Sequence, residues 1–102
     1  MIKIFQINPE KDTNKVKFKS YKFIKEFDFS IYDEVWSGNE PELENYNNLL
    51  EEIFKIFNLH HPEDFHGHSL SVSDVVQIIN SDKKDNGYYY CDSFGWVKLE
   101  IE

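Results

Sequence analysis

The sequence predicts an α+β domain: a small mixed or antiparallel sheet of about five strands, packed against one main amphipathic helix and one short helix. Three observations lead to this prediction. Short alternating apolar segments are separated by turn residues, and one longer segment repeats its apolar residues at helical intervals. The 102 residues suffice for one hydrophobic core but not for two, so residues 1–102 are read as a single domain.

The N-terminal third is predicted to form two strands with a short helix between them. Residues 1–7 alternate apolar and polar side chains until Asn8-Pro9 ends the pattern. Residues 20–26 shift to helical spacing, with Ser20 as the candidate N-cap. Residues 31–37 are rich in β-branched and aromatic side chains, which favours a second strand.

The main helix is predicted at residues 41–58. Its first turn combines Pro41 with several acids, which suits the positive end of a helix dipole. Apolar residues then follow at helical spacing: Leu43, Tyr46, Leu49, Leu50, Ile53, Phe54 and Phe57. Another face carries Glu44, Asn48, Glu51, Glu52 and Lys55. That face either faces solvent or docks onto a basic partner.

The C-terminal part is predicted to begin with a long loop at residues 59–72, a class of loop that often carries binding residues. Strands follow at 75–79, 88–92 and 96–101. Residues 81–87 connect the first two of these strands as a hairpin, with Asn86-Gly87 providing the positive backbone angles.

Charge is distributed unevenly along a chain of net charge −8. Residues 1–25 contain seven lysines and two acids, whereas residues 26–102 contain four lysines and seventeen acids. An acidic body attracts basic protein surfaces, including those that normally hold nucleic acid, although the charge also serves solubility. The chain has no arginine, so we expect no direct nucleic-acid binding.

Location is predicted from what the sequence lacks. No apolar run approaches the roughly 20 residues that a membrane helix needs, and the N-terminus has no signal-peptide pattern. The single cysteine, Cys91, has no partner for an internal disulfide, which agrees with a reducing compartment. We therefore expect a cytoplasmic protein that does not contact a membrane.

Four histidines lie within nine residues: His60, His61, His66 and His68, with Glu63 and Asp64 among them. A zinc ion needs three or four such ligands, but this spacing matches no standard zinc motif. Hydrogen bonding within the loop is the competing interpretation, and we predict neither a metal nor any other cofactor.

A nucleophilic site is conceivable on paper from Cys91, a histidine and either Asp74 or Asp92. Cys91 lies in the middle of a predicted strand, where a buried apolar role is the commoner one. Ser73-Asp74 and Asp92-Ser93 are read as residues that cap or turn the backbone at strand ends. No catalytic residue is therefore assigned.

Two phrases of the sequence resemble the YodL-like domain family. Residues 67–76 read GHSLSVSDVV, residues 89–96 read YYCDSFGW one predicted hairpin later, and the opening MIKIFQI fits the same pattern. The resemblance spans nearly the whole chain. It implies a protein from a mobile genetic element, such as a plasmid or phage of low-GC bacteria, without an established catalytic motif.

Within that setting the chain looks like an anti-CRISPR protein, and we expect a non-enzymatic inhibitor that binds a basic host protein, namely a type II CRISPR nuclease, and blocks loading of guide RNA or DNA. The expected partner surface combines Glu44, Glu51, Glu52, Glu63, Asp64, His66, His68 and Asp74. One alternative is a metal-dependent RNase that trims guide RNA through residues 60–68. Another is an antirestriction or plasmid-transfer accessory module.

Overall fold

The computed structural model describes residues 1–39, 49–59, 63–65, 67–79 and 86–100. Within these ranges the chain forms five strands, one helix and two 3-10 turns, in this order: β1 (Ile2–Ile7), the turns Tyr21–Phe23 and Phe29–Ile31, β2 (Tyr32–Gly38), α1 (Leu49–Leu59), β3 (Val75–Ile78), β4 (Gly87–Cys91) and β5 (Trp96–Leu99). All four strand pairings are antiparallel, and the sheet order is β2-β1-β3-β4-β5. The predicted sheet of about five strands is confirmed, in its antiparallel form.

The centre of the sheet is the pair β1 and β3, in which Ile4 lies opposite Val76. Both side chains are fully buried. The strand that the sequence places first is thus covered on both edges, by β2 and by β3. Its alternating side chains divide between the two faces of the sheet, as expected for a strand with period two.

Each face of the sheet has its own apolar cluster. On the first face, Ile53 and Phe57 of α1 pack with buried residues from strands and loops: Ile2, Ile4, Phe65, Leu70, Val76 and Ile78. The second face buries Val75, Tyr90 and Leu99 beneath side chains that include Tyr21, Ile24 and Phe27 from the segment after β1. The domain is therefore layered, with α1 on one face of the sheet and residues 8–31 on the other.

Helix α1 crosses the sheet from one edge to the other. Near its N-terminus, Glu51 lines a hollow with Cys91 of β4 and Trp96 of the edge strand β5. Near its C-terminus, the Phe57 ring lies 4.9 Å from that of Trp36, on the opposite edge strand β2. Residues 41–48 of the predicted helix lie outside the described residues, as do residues 81–85 of the predicted hairpin connection.

The prediction of a short helix at residues 20–26 is wrong, because the structure has only a 3-10 turn there, at Tyr21–Phe23. Ser20 does precede this turn, but its side chain makes no cap and instead donates to Asp92. The apolar residues that pack on the sheet here are Tyr21, Ile24 and Phe27. Their spacing of three suits a tight or irregular path better than an α-helix.

Candidate functional site

The most connected polar group of the described residues lies where β1, β3 and the loop before β3 meet. Gln6 of β1, His68 of the loop and Asp74 just before β3 come together there. Gln6 is more than sixty residues away from the other two along the chain. Gln6 shares a strand face with Ile2 and Ile4, because side chains alternate along β1. It is buried, and Asp74 has no exposed surface.

The Gln6 side chain ties the loop to the strand through its whole amide. Its Nε2 donates to the carbonyl oxygen of His68 at 2.8 Å and to Oδ2 of Asp74 at 3.1 Å. Its Oε1 accepts the backbone N–H of His68 at 3.2 Å. Because both amide hydrogens are used in these contacts, the 3.3 Å approach of Nε2 to Nδ1 of His68 is not an additional donated bond.

The remaining contacts fix the tautomer of His68. Its Nδ1 lies 2.7 Å from the carbonyl oxygen of Ser69, which only accepts, so Nδ1 carries the hydrogen. In a neutral ring Nε2 is then an acceptor. It lies 3.8 Å from Oδ1 of Asp74, a buried atom without a hydrogen-bond partner among the described residues. Two acceptors therefore face each other when the Asp74 carboxylate is ionised.

Burial raises the pKa of Asp74 to about 7. Hydrogen bonds from the Ser71 backbone and from Gln6 oppose the shift, as does the positive charge of Lys17. Desolvation disfavours the charged carboxylate, because the buried site solvates the charge less well than water does. Asp74 thus holds a proton in the folded protein far more readily than an exposed aspartate does.

Ser73, the neighbour of Asp74, joins three parts of the chain. It is fully buried and has a positive φ of 87°. Its Oγ accepts the backbone N–H of Phe18 at 3.0 Å, and its carbonyl oxygen accepts the hydroxyl of Tyr32 at 2.6 Å. Its own N–H donates to the carbonyl of Cys91 at 2.9 Å. The Ser-Asp pair is therefore occupied in holding the backbone, as the sequence suggested.

Cys91 is buried, and burial raises the pKa of its thiol to about 12. The backbone N–H of Cys91 donates to the Asp74 carbonyl at 2.8 Å, which joins the end of β4 to the start of β3. A protonated, enclosed thiol is a poor nucleophile at neutral pH. The apolar role predicted for this residue fits the structure.

Asp92 fastens the segment after β1 to the hairpin of β4 and β5. Its Oδ1 accepts the Ser20 hydroxyl at 2.6 Å and the backbone N–H groups of Tyr21 and Ser93 at 3.3 and 2.7 Å. These bonds, led by the one from Ser20, lower the pKa of Asp92. The Asp-Ser pair turns the backbone here and also connects it to a distant segment.

The acids proposed as a partner surface do not form one patch in the described part of the chain. Glu51 is exposed near the β5 edge, and Glu52 lies 4.0 Å from Lys55. Glu63 and Asp64 are exposed, and Asp64 accepts the Trp36 indole N–H at 2.8 Å at the β2 edge.

Of the other residues assigned to that surface, Asp74 is the clear exception, because a fully buried carboxylate presents nothing to a partner. His68 is exposed but is bonded within the loop. Glu44 and His66 lie outside the described residues, as do His60 and His61 of the histidine cluster. Among the described residues, no group of three His, Cys, Asp or Glu side chains is placed to hold a metal.

Gln6 and Tyr32 are the residues that the sequence interpretation missed. Gln6 occupies the third position of one strand face after Ile2 and Ile4, where a buried apolar residue is expected. A polar side chain in that phase is a signal of a buried polar partner. Tyr32 gave no such signal, because its hydroxyl contact with Ser73 depends on the tertiary structure alone.

The fold and these contacts define a small layered α+β domain whose distinctive polar residues hold its loops to its sheet. The chain matches the YodL-like domain model over residues 1–101 and belongs to that family. No curated protein and no solved structure matches the chain. Among the described residues, no helix is long and apolar enough to cross a membrane.

Proposed function

We propose that this protein acts by contact, as an inhibitor encoded on a mobile genetic element that binds a basic protein of the bacterial cytoplasm. The finer form of the proposal names the target as a type II CRISPR nuclease, whose guide RNA or DNA would be kept from loading. The observation that carries the contact mechanism is the difference in exposure between two groups of residues. Glu51, Glu63 and Asp64 of the α1 layer are exposed, whereas Asp74 and Cys91 are buried.

Charge supports a basic partner. The net charge is −8, and Glu51, Glu63 and Asp64 are exposed on the layer that contains α1. Asp64 contacts Trp36 on one edge strand, and Glu51 lines a hollow with Trp96 of the other, so the exposed acids span the width of the sheet. A broad distribution of this kind suits a nucleic-acid channel better than a small pocket would, since such a channel presents basic side chains over a long path.

The state of the motif residues also supports contact over catalysis. Ser73, Asp74, Cys91 and Asp92 each use their polar groups to join segments of the backbone. These bonds explain why the two phrases GHSLSVSDVV and YYCDSFGW occur together, because Ser73 and Asp74 of the first are hydrogen-bonded to Cys91 of the second. They are therefore accounted for by the fold without a reaction.

The proposal is tested with a purified type II CRISPR nuclease from a low-GC bacterium, before and after it has bound guide RNA. We expect the protein to bind the guide-free nuclease and to reduce DNA cleavage when it is added before the guide. Glu51→Lys and Glu63→Lys should each weaken binding and flatten its salt dependence, because each removes an exposed negative charge.

Glu10→Lys is the matched control, since Glu10 is exposed on the segment that covers the opposite face of the sheet. Equal losses in all three variants would contradict a surface on the α1 layer. Guide RNA that is shortened by the protein, and protected by a chelator, would instead favour the metal-dependent RNase. Relief of restriction in cells, without any effect on CRISPR interference, would favour the antirestriction module.

A further inference from the structure

Residues 15–25 form a second charged region of opposite sign. This segment reads KVKFKSYKFIK and contains five lysines and no acid. Four of the lysines, at positions 15, 19, 22 and 25, are exposed. The segment covers the sheet face opposite to α1, through Tyr21 and Ile24. The lysines are thus separated by the sheet from the acids on α1.

Exposed phenyl rings lie among these lysines. Phe18 is 59% exposed and Phe23 is 65% exposed. Lys17 Nζ lies 5.1 Å from the centre of the Phe18 ring, and Lys22 Nζ lies 5.1 Å from that of Phe23. An ordinary solvent-facing lysine strip does not need large apolar side chains between its charges.

The structure adds a third ring that is remote in sequence. Phe94, in the link between β4 and β5, is 98% exposed. It lines a hollow of about 340 Å³ together with Phe23, Lys22 and Asp92. Two exposed rings and a lysine therefore border one hollow, although Phe23 and Phe94 are separated by seventy residues of sequence.

The backbone around this hollow is held on both sides. The N–H of Asp92 donates to the Gly95 carbonyl at 3.0 Å, which closes the link that carries Phe94. The Ser20 hydroxyl donates to Asp92 at 2.6 Å, which fixes the turn that carries Phe23. Because the link and the turn are tied together, the backbone that carries the two rings is already ordered, which lowers the entropy that binding costs.

We propose that the surface formed by residues 15–25 and Phe94 binds single-stranded nucleic acid, with bases against Phe23 and Phe94 and phosphates on the lysines. Exposed aromatic rings beside a basic strip are the general means of binding single strands, since every base has a face that stacks. A duplex keeps its bases stacked inside and would meet only the lysines. The inference is independent of the proposed inhibitor function.

This proposal departs from the expectation, based on the absence of arginine, that the chain does not bind nucleic acid directly. The missing arginine instead limits how this surface would recognise its ligand. Without a guanidinium fork, bidentate recognition of guanine is missing, and lysines act on phosphates as point charges. Binding should therefore depend little on base sequence. The carboxylate of Asp92 disfavours a phosphate inside the hollow, which is consistent with a base in that position.

Fluorescence anisotropy of labelled dT15 at 50 mM salt tests the proposal, with a duplex of equal length as comparison. We expect saturable binding of dT15 and weaker binding of the duplex. Phe94→Ala should weaken binding of dT15 by about 5- to 150-fold, the usual effect of losing one stacked base. Phe94→Trp should restore binding, whereas Phe94→Leu should not, because leucine is apolar but cannot stack.

The lysines are tested by the salt dependence of the same measurement. Lys22→Gln should reduce the slope of log K against log salt by about 0.7, the value for one phosphate contact on a single strand. Lys55→Gln is its matched control, because Lys55 is also exposed but lies on α1. Leu59→Ala is the control for Phe94→Ala, because Leu59 is also an exposed apolar residue but lies on α1.

Three results would overturn the proposal. The first is no binding of dT15 up to about 100 μM protein, near the weak limit of non-specific binding. The second is equal weakening by Phe94→Ala and Leu59→Ala in variants that retain the far-ultraviolet spectrum of the parent. The third is that dT15 does not bind, whereas anionic lipid vesicles or a poly-glutamate peptide bind in a manner that depends on Phe94. That result would assign the surface to a membrane or to an acidic protein.

Discussion

Nε2 of His68 and Oδ1 of Asp74 lie 3.8 Å apart, and the carboxylate has no exposed surface. Because Nδ1 of His68 donates to Ser69, the two facing atoms are both acceptors in the absence of an extra proton. This relationship joins the loop before β3 to the sheet through a group whose protonation changes near neutral pH. It leads to the first prediction.

Stability should fall as the pH rises from 4 to 8. Burial raises the pKa of Asp74 from 3.8 to about 7, so above pH 4 the unfolded chain loses a proton that the folded protein keeps. The resulting loss of folding stability begins near pH 4 and is complete above about pH 7. Urea denaturation at pH 5 and pH 8 measures it.

Asp74→Asn should remove this part of the slope. The free energy of unfolding of the variant minus that of the parent should rise by about 2–3 kcal/mol between pH 5 and pH 8, because the asparagine amide never ionises. Glu63→Gln changes an exposed acid and serves as the control. The same pH dependence in the parent and in Asp74→Asn would show that the carboxylate binds no extra proton in the folded state.

Tyr32→Phe should destabilise the fold by about 1–3 kcal/mol, because it leaves the buried carbonyl of Ser73 without its donor. Tyr90→Phe is the comparison. The Tyr90 hydroxyl donates to the carbonyl of Lys19, an exposed residue, whereas Ser73 is fully buried. We expect the smaller loss there, measured by chemical denaturation. A larger loss for Tyr90→Phe would contradict the central position of Ser73.

Gly67→Ala should cost about 1–3 kcal/mol of stability. A methyl group at Gly67 would collide with Oε1 of Gln6 and would lie 3.0 Å from the Phe65 ring, so the loop could not approach β1. Gly95→Ala meets open space but retains a φ of 81°, which costs about 1 kcal/mol. Thermal denaturation of both variants ranks their losses of stability. A smaller loss for Gly67→Ala than for Gly95→Ala would contradict the close approach of Gly67 to Gln6.

Cys91 should resist alkylation in the native protein. Its thiol is buried and its pKa is raised to about 12, so almost no thiolate is present at pH 8. Iodoacetamide labelling followed by mass spectrometry should be slow in buffer and complete in concentrated urea. Full modification within minutes under native conditions would identify a reactive thiol and reopen the nucleophile interpretation.

Much of the architecture was predictable because it depends on local periodicity. The alternation around Ile2 and Ile4 predicted β1, and the helical spacing of Ile53, Phe54 and Phe57 predicted the described part of α1. The segment at residues 20–26 was not predictable in the same way. Its turn is set by contacts of Tyr21 and Ile24 with the sheet and by the bond between Ser20 and Asp92, none of which is local.

The candidate site was predictable only in part. The two motif phrases marked Asp74, Cys91 and Asp92 as unusual, but they gave no indication of which were buried. A residue's burial depends on which segments cover it, and here those segments are distant in sequence. The phase of Gln6 in β1 was the only local signal of the polar group at the sheet.

The sequence by itself therefore determined the strands, the helix in its described part, the charge imbalance and the family. These follow from side-chain period and composition, which are properties of neighbouring residues. The tertiary structure alone decided that Gln6 meets His68 and Asp74 and that Phe94 stands beside Phe23. Both pairings arise from chain segments that meet only when β1, β3 and β4 assemble, so no local pattern encodes them.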